Sequence, residues 1–350
     1  MRVGVVGLGM GLHLATWCER LGIRVEAVCD RNPASLSKAG EVLPNARRVS
    51  DWRDLLDAGL DGVILANDFD EHAPLAVTFL DHGVHVLSET VACADEEQGR
   101  LLVEAADRSS ATYSLAENYV LLPHVRLIRE ALPEIGRVTL IEADYLHGMS
   151  PEGVDGLIGD PGHWRGTIAP TAYCTHSLSP ILALTGARPV EVTALTVDTA
   201  APRQASVMAV RLSTGALAIT RNGFLQGEPD SHWSWVSVRG ERGLVESVRA
   251  QGDRAWSVRV RTEGWTHADG RAREEVRVPP HLDGTLTGGE PVGRGAEGTV
   301  LLLRAFRDTV ELGAPPATGV REAVVASLVG VAGAHSLARG SVPVPVPDPG

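Results

Sequence analysis

The sequence predicts an α/β chain in two parts: an N-terminal doubly wound parallel sheet, then an α+β domain with a large open-faced mixed or antiparallel sheet. Three observations carry this. As far as Leu115, short β-branched runs alternate with helical patterns, as in a parallel sheet covered by helices on both faces. After Asn118 the apolar runs lengthen, alternate and are joined by short turns, the pattern of a sheet with one open face. The length of 350 residues suits two domains, which we place at 1–118 and 119–350.

In order, Arg2–Val6 reads as a strand, Leu12–Leu21 as a helix and Arg24–Cys29 as a second strand. Asp51–Asp57 reads as a short helix and Gly62–Ala66 as a strand. Glu71–His82 is a helix, with Pro74 in its first turn and Gly83 beyond its end. Val84–Leu87 is a strand, Asp95–Asp107 a helix and Thr112–Leu115 a strand, while Arg47 and Arg48 read as solvated surface. Beyond the seam at Glu117–Tyr119, a helix over Leu121–Leu132 leads into strands at Val138–Tyr145, Val190–Val197, Ser206–Leu212, Leu217–Asn222, Trp233–Arg239, Leu244–Val248 and Trp256–Val260. Helices over Glu297–Glu311 and Val320–Ala338 close the pattern before an extended Pro-rich tail.

Composition narrows the function. The formal charge of −12 argues against nucleic acid as a partner, since phosphate binding needs a basic face. Of the 32 cations, 31 are arginine and the single lysine is Lys38. Arginine stays protonated and cannot act as a base, so Schiff-base chemistry and a P-loop lysine are all but excluded. Cys18, Cys29, Cys93 and Cys174 show neither a CxxC nor a zinc-like spacing, which predicts reduced thiols and a cytoplasmic setting. The apolar stretch Ala323–Ala334 is shorter than the roughly 20 residues of a membrane span, so no membrane association is expected. The N-terminal run is read as a strand and glycine turn instead of a signal peptide, because glycines crowd its apolar centre.

Gly7-Leu8-Gly9-Met10-Gly11 lies between the first strand and the first helix. Glycines there permit a tight turn and close approach of backbone to a pyrophosphate at the helix N-terminus. The spacing is GxGxG, one residue shorter than GxGxxG. Asp30 closes the second strand about 20 residues downstream, where a carboxylate accepts from a ribose 2′-hydroxyl and repels a 2′-phosphate. That favours NAD over NADP. Arg31 is placed to stack on adenine or meet a phosphate. Asn67 and Asp68, at the carboxyl edge of the third long strand, are placed to touch the ribose; His72 either joins them or caps the following helix.

At this point the chain resembles the Gfo/Idh/MocA superfamily of NAD(P)-dependent oxidoreductases over essentially its full length. The segments that carry it are VVGLGMG, VCDRN, GVILANDFDEHAPLA, HGVHVLSETV, LAENY and THSL, with the closing PPATGVREAVVASLVGVAGAHSLARGSVPVP. The resemblance implies a Rossmann domain that binds NAD and a second domain whose sheet face often makes an oligomer contact, hence a homo-oligomer (dimer or tetramer). Family members usually carry Glu-Lys-Pro where this chain has Glu89-Thr90-Val91. That lysine normally bonds the reacting hydroxyl, so Thr90 leaves a gap, while Glu89 and Asn118 remain as cofactor-side residues. Trp164 and Arg165 resemble a Trp-Arg pair that the family places near nicotinamide or substrate.

Glu117-Asn118-Tyr119, Tyr145-Leu146-His147 and Tyr173-Cys174-Thr175-His176 are similar to strings in a narrower branch that includes NAD-dependent glycosidases. The resemblance gives Tyr145, His147, Tyr173, His176 and Glu117 roles around a sugar. Loss of a hydroxyl proton must accompany hydride departure, and a histidine base needs no special tuning for it. Helix capping or packing is the competing explanation for His176. Tyr145 and His147 share one face of a strand, which also fits a merely polar sheet face. No metal is expected, because His147, His163 and His176 match no familiar ligand spacing.

The expected function is NAD-dependent oxidation of a secondary hydroxyl on a sugar, glycoside or cyclitol-like substrate. One alternative is a glycosidase or lyase working by transient oxidation and elimination. Another, of a different class, is a non-catalytic cofactor-binding sensor or scaffold.

Overall fold

A computed structural model describes residues 1–197, 205–224, 234–289 and 291–349. The chain divides into two compact units. The first comprises Met1–Asn118 with Leu282–Val324 and Pro349; the second comprises Tyr119–His281 with Val325–Asp348. The seam after Asn118 lies where the expected boundary was drawn. The expected assignment of everything beyond it to one domain is corrected, because Leu282–Val324 packs with the N-terminal segment.

In the first unit the chain forms β1 (Arg2–Val6), α1 (Met10–Arg20), β2 (Arg24–Cys29), α2 (Pro33–Val42), β3 (Arg47–Val49), β4 (Gly62–Leu65), α3 (His72–Asp81), β5 (His85–Ser88), α4 (Glu96–Arg108) and β6 (Tyr113–Leu115). The sheet runs β3-β2-β1-β4-β5-β6 and is parallel throughout. Its central strands are apolar on both faces: Val3, Val5, Val63, Ile64, Leu65, Val86 and Leu87 are completely buried, as helices on both sides require. The order reverses between β1 and β4, the point at which such sheets bind ligands. Arg47 and Arg48 are exposed, as expected, and lie in the short edge strand β3. Asp51–Asp57 reduces to a single 3-10 turn, Trp52–Leu55.

The second unit contains α5 (Pro123–Ile135), β7 (Val138–Leu146), α6 (Pro151–Ile158), α7 (Trp164–Thr167), α8 (Thr175–Thr185), β8 (Pro189–Thr196), β9 (Ala205–Leu212), β10 (Leu217–Gly223), β11 (Val236–Gly240), β12 (Gly243–Ser247), β13 (Val258–Thr262) and β14 (Arg273–Arg277). Trp233, the expected start of the β11 strand, lies outside the described residues. The chain then passes through α9 (Glu297–Leu312) in the first unit and α10 (Val320–Ala338), which begins there and ends in the second unit with β15 (Val344–Pro345). The second sheet runs β14-β13-β12-β11-β7-β10-β9-β8-β15. Only the β7–β10 pair is parallel among the described ladders.

One face of this sheet packs on helices: Ile141, Ala143, Met208 and Val210 join Ile128 and Ala131 of α5, Leu178 and Ile181 of α8 and Val329 of α10 in one core. The other face is open. A register row carries Glu142, Ser237, Glu246, Arg259 and Val276 across it, and Leu195, Val207 and Val276 stand exposed. Asp144, like Ser237, is enclosed on this face. It is buried, and it binds Arg221 at 2.6 and 3.0 Å and Arg249 at 2.8 Å, while both guanidiniums stack on Trp235.

The helix α10 is long and apolar enough to cross a membrane by length and composition, although 56% of that span is buried inside the fold. The shorter stretch expected from sequence therefore understates it; burial fits a core helix.

Candidate active site

The glycine turn divides its labour residue by residue. Gly7 has φ +85°, and a Cβ there would lie 2.3 Å from the Ala66 carbonyl oxygen, so only glycine fits. Gly11 starts α1 against the sheet: a Cβ would stand 2.9 Å from Val5 Cγ1 and 3.2 Å from Ala66 Cβ. A Cβ on Gly9 would meet nothing within 4 Å. Turn, approach and packing are the three roles that dinucleotide glycines divide among themselves, here compressed into GxGxG. No side chain caps α1, and its first turn holds no acid. Its N–H groups therefore favour an anion. Leu8 is buried and Met10 exposed on either side of Gly9.

Asp30 organises this turn from the end of β2. Its Oδ2 accepts from Leu8 N–H at 2.8 Å and its Oδ1 from Asn32 N–H at 2.8 Å. A carboxylate has about four acceptor positions, so capacity remains for ribose hydroxyls. Arg31 forms an ion pair with Asp68, joining the carboxyl ends of β2 and β4. Asn67 Oδ1, beside them, is buried with no hydrogen-bond partner, an acceptor that suits a hydroxyl-bearing ligand. These residues fit NAD.

His72 is placed differently from the expectation. It is buried, Nδ1 lies 2.9 Å from the Val91 carbonyl and Nε2 3.2 Å from the Asn67 carbonyl. A neutral imidazole has one N–H and donates to only one of these carbonyls; His72 thus stands between the loops carrying Asn67 and Val91 and is the first residue of α3, not a cap preceding it. Burial lowers its pKa. Glu89 follows β5, its N–H bonded to Leu65 O at 2.7 Å. Thr90 is buried, and the Thr90–Val91 peptide is cis. Glu117 is fully buried at the end of the first unit. Asn118 donates through Nδ2 to Thr299 Oγ1 at 3.0 Å.

The second unit gathers the tyrosines and histidines. The chain has four tyrosines, and Tyr119, Tyr145 and Tyr173 form one cluster with His147, His176 and Phe224. Ring centroids lie 4.5 Å apart for Tyr145 and His176, 4.6 Å for Tyr145 and His147, and 4.6 Å for Tyr119 and His176, the last stacked at 28°. Tyr173 stacks on Tyr145 and His176 at 6.1 and 6.2 Å. Phe224 meets Tyr145, His147 and Tyr173 edge-on or tilted. β7 presents Tyr145, and His147, just beyond its end and bonded through its N–H to Gly223 O, continues the alternation on the same face. That face is the helix-covered one, not the open polar one. The first turn of α8 supplies His176.

Burial pushes the His147 imidazole down to about 4, with His176 adding to the shift, so His147 is neutral at physiological pH. The fourth tyrosine, Tyr113, is buried in β6, which pushes its phenol up. Tyr119 and Phe224 escaped sequence reasoning; Tyr119 adjoins Glu117-Asn118, and Phe224 lies two residues beyond Asn222, the register partner of Tyr145. Trp164 and Arg165 form α7 in the second unit, the guanidinium 4.9 Å from the indole. His163 caps that turn, its Nδ1 accepting from Arg165 N–H at 3.2 Å. They belong to a different unit from the glycine turn.

Other chemistry is disfavoured. Burial raises the Cys18 thiol to about 12 and Cys29 to about 11, which suppresses the thiolate a nucleophile needs. Among the described residues no group of three or more His, Cys, Asp or Glu is arranged to hold a metal.

Residues 1–117 match the oxidoreductase family with NAD-binding Rossmann fold, Gfo/Idh/MocA. A glycosyl hydrolase family 109 protein of Shewanella woodyi is 27% identical over 201 residues, covering 52% of this chain and 42% of that protein; the chain thus spans less than half the length of such curated relatives. Among solved structures, levoglucosan dehydrogenase with NADH and levoglucosan has a TM-score of 0.82 at 18% identity, covering 99% of both chains. The WlbA dehydrogenase of Bordetella pertussis with NADH and UDP-GlcNAcA reaches 0.76 at 21% identity, covering 99% of this chain and 98% of that one. The two-part fold of these solved structures therefore extends over 99% of this chain.

Proposed function

We propose that this protein is an NAD-dependent oxidoreductase acting on a secondary hydroxyl of a sugar, glycoside or cyclitol-like substrate. The observation that carries the reading is the concentration of scarce residues: three of four tyrosines and two histidines share one aromatic cluster in the second unit. Flat rings offer stacking surface to a sugar, and neutral imidazoles and phenols move protons. When bound, NAD supplies the acceptor for the hydride leaving the carbinol carbon. The glycine turn and Asp30 hold it in the first unit. His176 removes the hydroxyl proton, Tyr145 orients that hydroxyl, and neutral His147 and Tyr173 flank them. Glu117 is held in reserve as a buried carboxylate beside the seam, and Trp164 and Arg165 order the loop before α8. We also read the protein as a cytoplasmic homo-oligomer, with the open sheet face as the contact.

The similarity to the glycosyl hydrolase, with more acid–base groups than a dehydrogenase needs, favours a second reading. Oxidation acidifies the neighbouring C–H, a base from the cluster removes that proton, the aglycone leaves, water adds and the hydride returns. The test incubates protein and NAD with chromogenic glycosides and free sugars, following NADH and aglycone separately. Accumulating NADH supports dehydrogenation; aglycone without net NADH supports redox-neutral elimination. Neither signal, with NAD bound, leaves the sensor or scaffold reading, to which Thr90 in place of a lysine already points.

A further inference from the structure

The contact that anchors the His176 turn lies behind that residue. Ser177, next on α8, is fully buried. Its Oγ stands 3.0 Å from Cys174 O and 2.8 Å from Asn222 Oδ1. A hydroxyl has one proton, so it cannot donate to both oxygens. The bond to Cys174 O is the usual one of a helical serine to the preceding turn. Turning the Asn222 amide over resolves the conflict, since amide N and O are assigned from their hydrogen bonds. Nδ2, buried without an acceptor as placed, then donates to Ser177 Oγ.

Asn222 is 2% exposed and pairs in register with Tyr145 across the parallel β7–β10 ladder. Phe224, just beyond the end of β10, touches Tyr145, His147 and Tyr173. One buried amide therefore links the helix turn carrying His176 to the strand carrying Tyr145 and leading into His147.

We propose that Asn222 is a positioning residue: through Ser177 it fixes the His176 imidazole against Tyr145. This rests on the reading of His176 and Tyr145 as the proton-handling pair. The test compares Asn222→Leu, which keeps volume and loses the amide, with Ser177→Ala and with the double variant. Measurements are kcat, KM for the sugar, NAD affinity and the pH profile of kcat/KM. Each single variant is expected to lose about 10-fold or more in kcat, with NAD affinity unchanged and the acid limb displaced. The double variant should fall no further than the worse single one, as coupled partners require. Ser177→Ala, a small deletion, keeps the test open if Asn222→Leu does not fold. Losses that multiply overturn the proposal. So does a wild-type rate and profile in Asn222→Leu or Ser177→Ala while His176→Ala is inactive. An active His176→Ala overturns the underlying reading and the proposal with it.

Discussion

Asp30 does two jobs with one carboxylate: it holds the Leu8 amide of the glycine turn and keeps acceptor capacity for a ribose. Asp30→Ala is expected to weaken NAD at least about 10-fold and to narrow the preference over NADP, because the repulsive charge is gone. Calorimetric titration with both nucleotides checks this; an undiminished preference assigns selectivity elsewhere. Thr90 makes the complementary point, since a hydroxyl donates a hydrogen bond but brings no charge to the place where family members keep a lysine. In the proposed reaction the proton then falls to the cluster, where burial holds His147 neutral. Its folded pKa of about 4 lies below the ordinary 6.5. Between those values the unfolded chain binds a proton that the folded chain refuses. Stability from this group is thus lost as pH falls from about 6.5 toward 4, and is complete above that window. Buried His72 acts in the same direction. His147→Gln should therefore shrink the drop in Tm between about pH 7 and pH 5; an unchanged drop would show that His147 does not carry it. An acid limb of activity above about pH 6 likewise belongs to another group.

At the scale of elements, the glycine turn separates folding from binding. Gly7→Ala places a methyl onto the Ala66 carbonyl at positive φ and should disrupt the β1–α1 turn itself. Gly9→Ala meets open space, so the protein should fold with an unchanged Tm while NAD binding falls by about 10-fold or more, the methyl standing where the pyrophosphate approaches. Equal NAD affinity in folded Gly9→Ala would show that the cofactor lies elsewhere. These roles were legible in the sequence because they are local: strand, turn, helix and the next strand's terminal acid. The pair Tyr145 and His147 was legible too, though not which face it occupied, since alternation alone does not say where helices pack. Tyr119, Phe224 and Asn222 were not, because they join the cluster through register and stacking between segments far apart in sequence. The edge strand at Arg47 and Arg48 was hidden for another reason: two charged residues in a three-residue strand carry no apolar pattern.

For the whole molecule, strand–helix alternation followed by longer strands was enough to read a parallel sheet and then a mixed one. It did not reveal that Leu282–Val324 packs with the first unit, an association with no local signal. In the proposed function the two units divide the work, the first carrying the glycine turn and the second the aromatic cluster. Central to that proposal is the role of His176 in taking the proton when a sugar hydroxyl is oxidised. The most direct test is the single-turnover rate of NADH formation, wild type against His176→Ala, with both proteins saturated with NAD. The expected result is a loss on the order of 100-fold or more, with NAD affinity and Tm unchanged. An unaltered rate in His176→Ala would contradict that role.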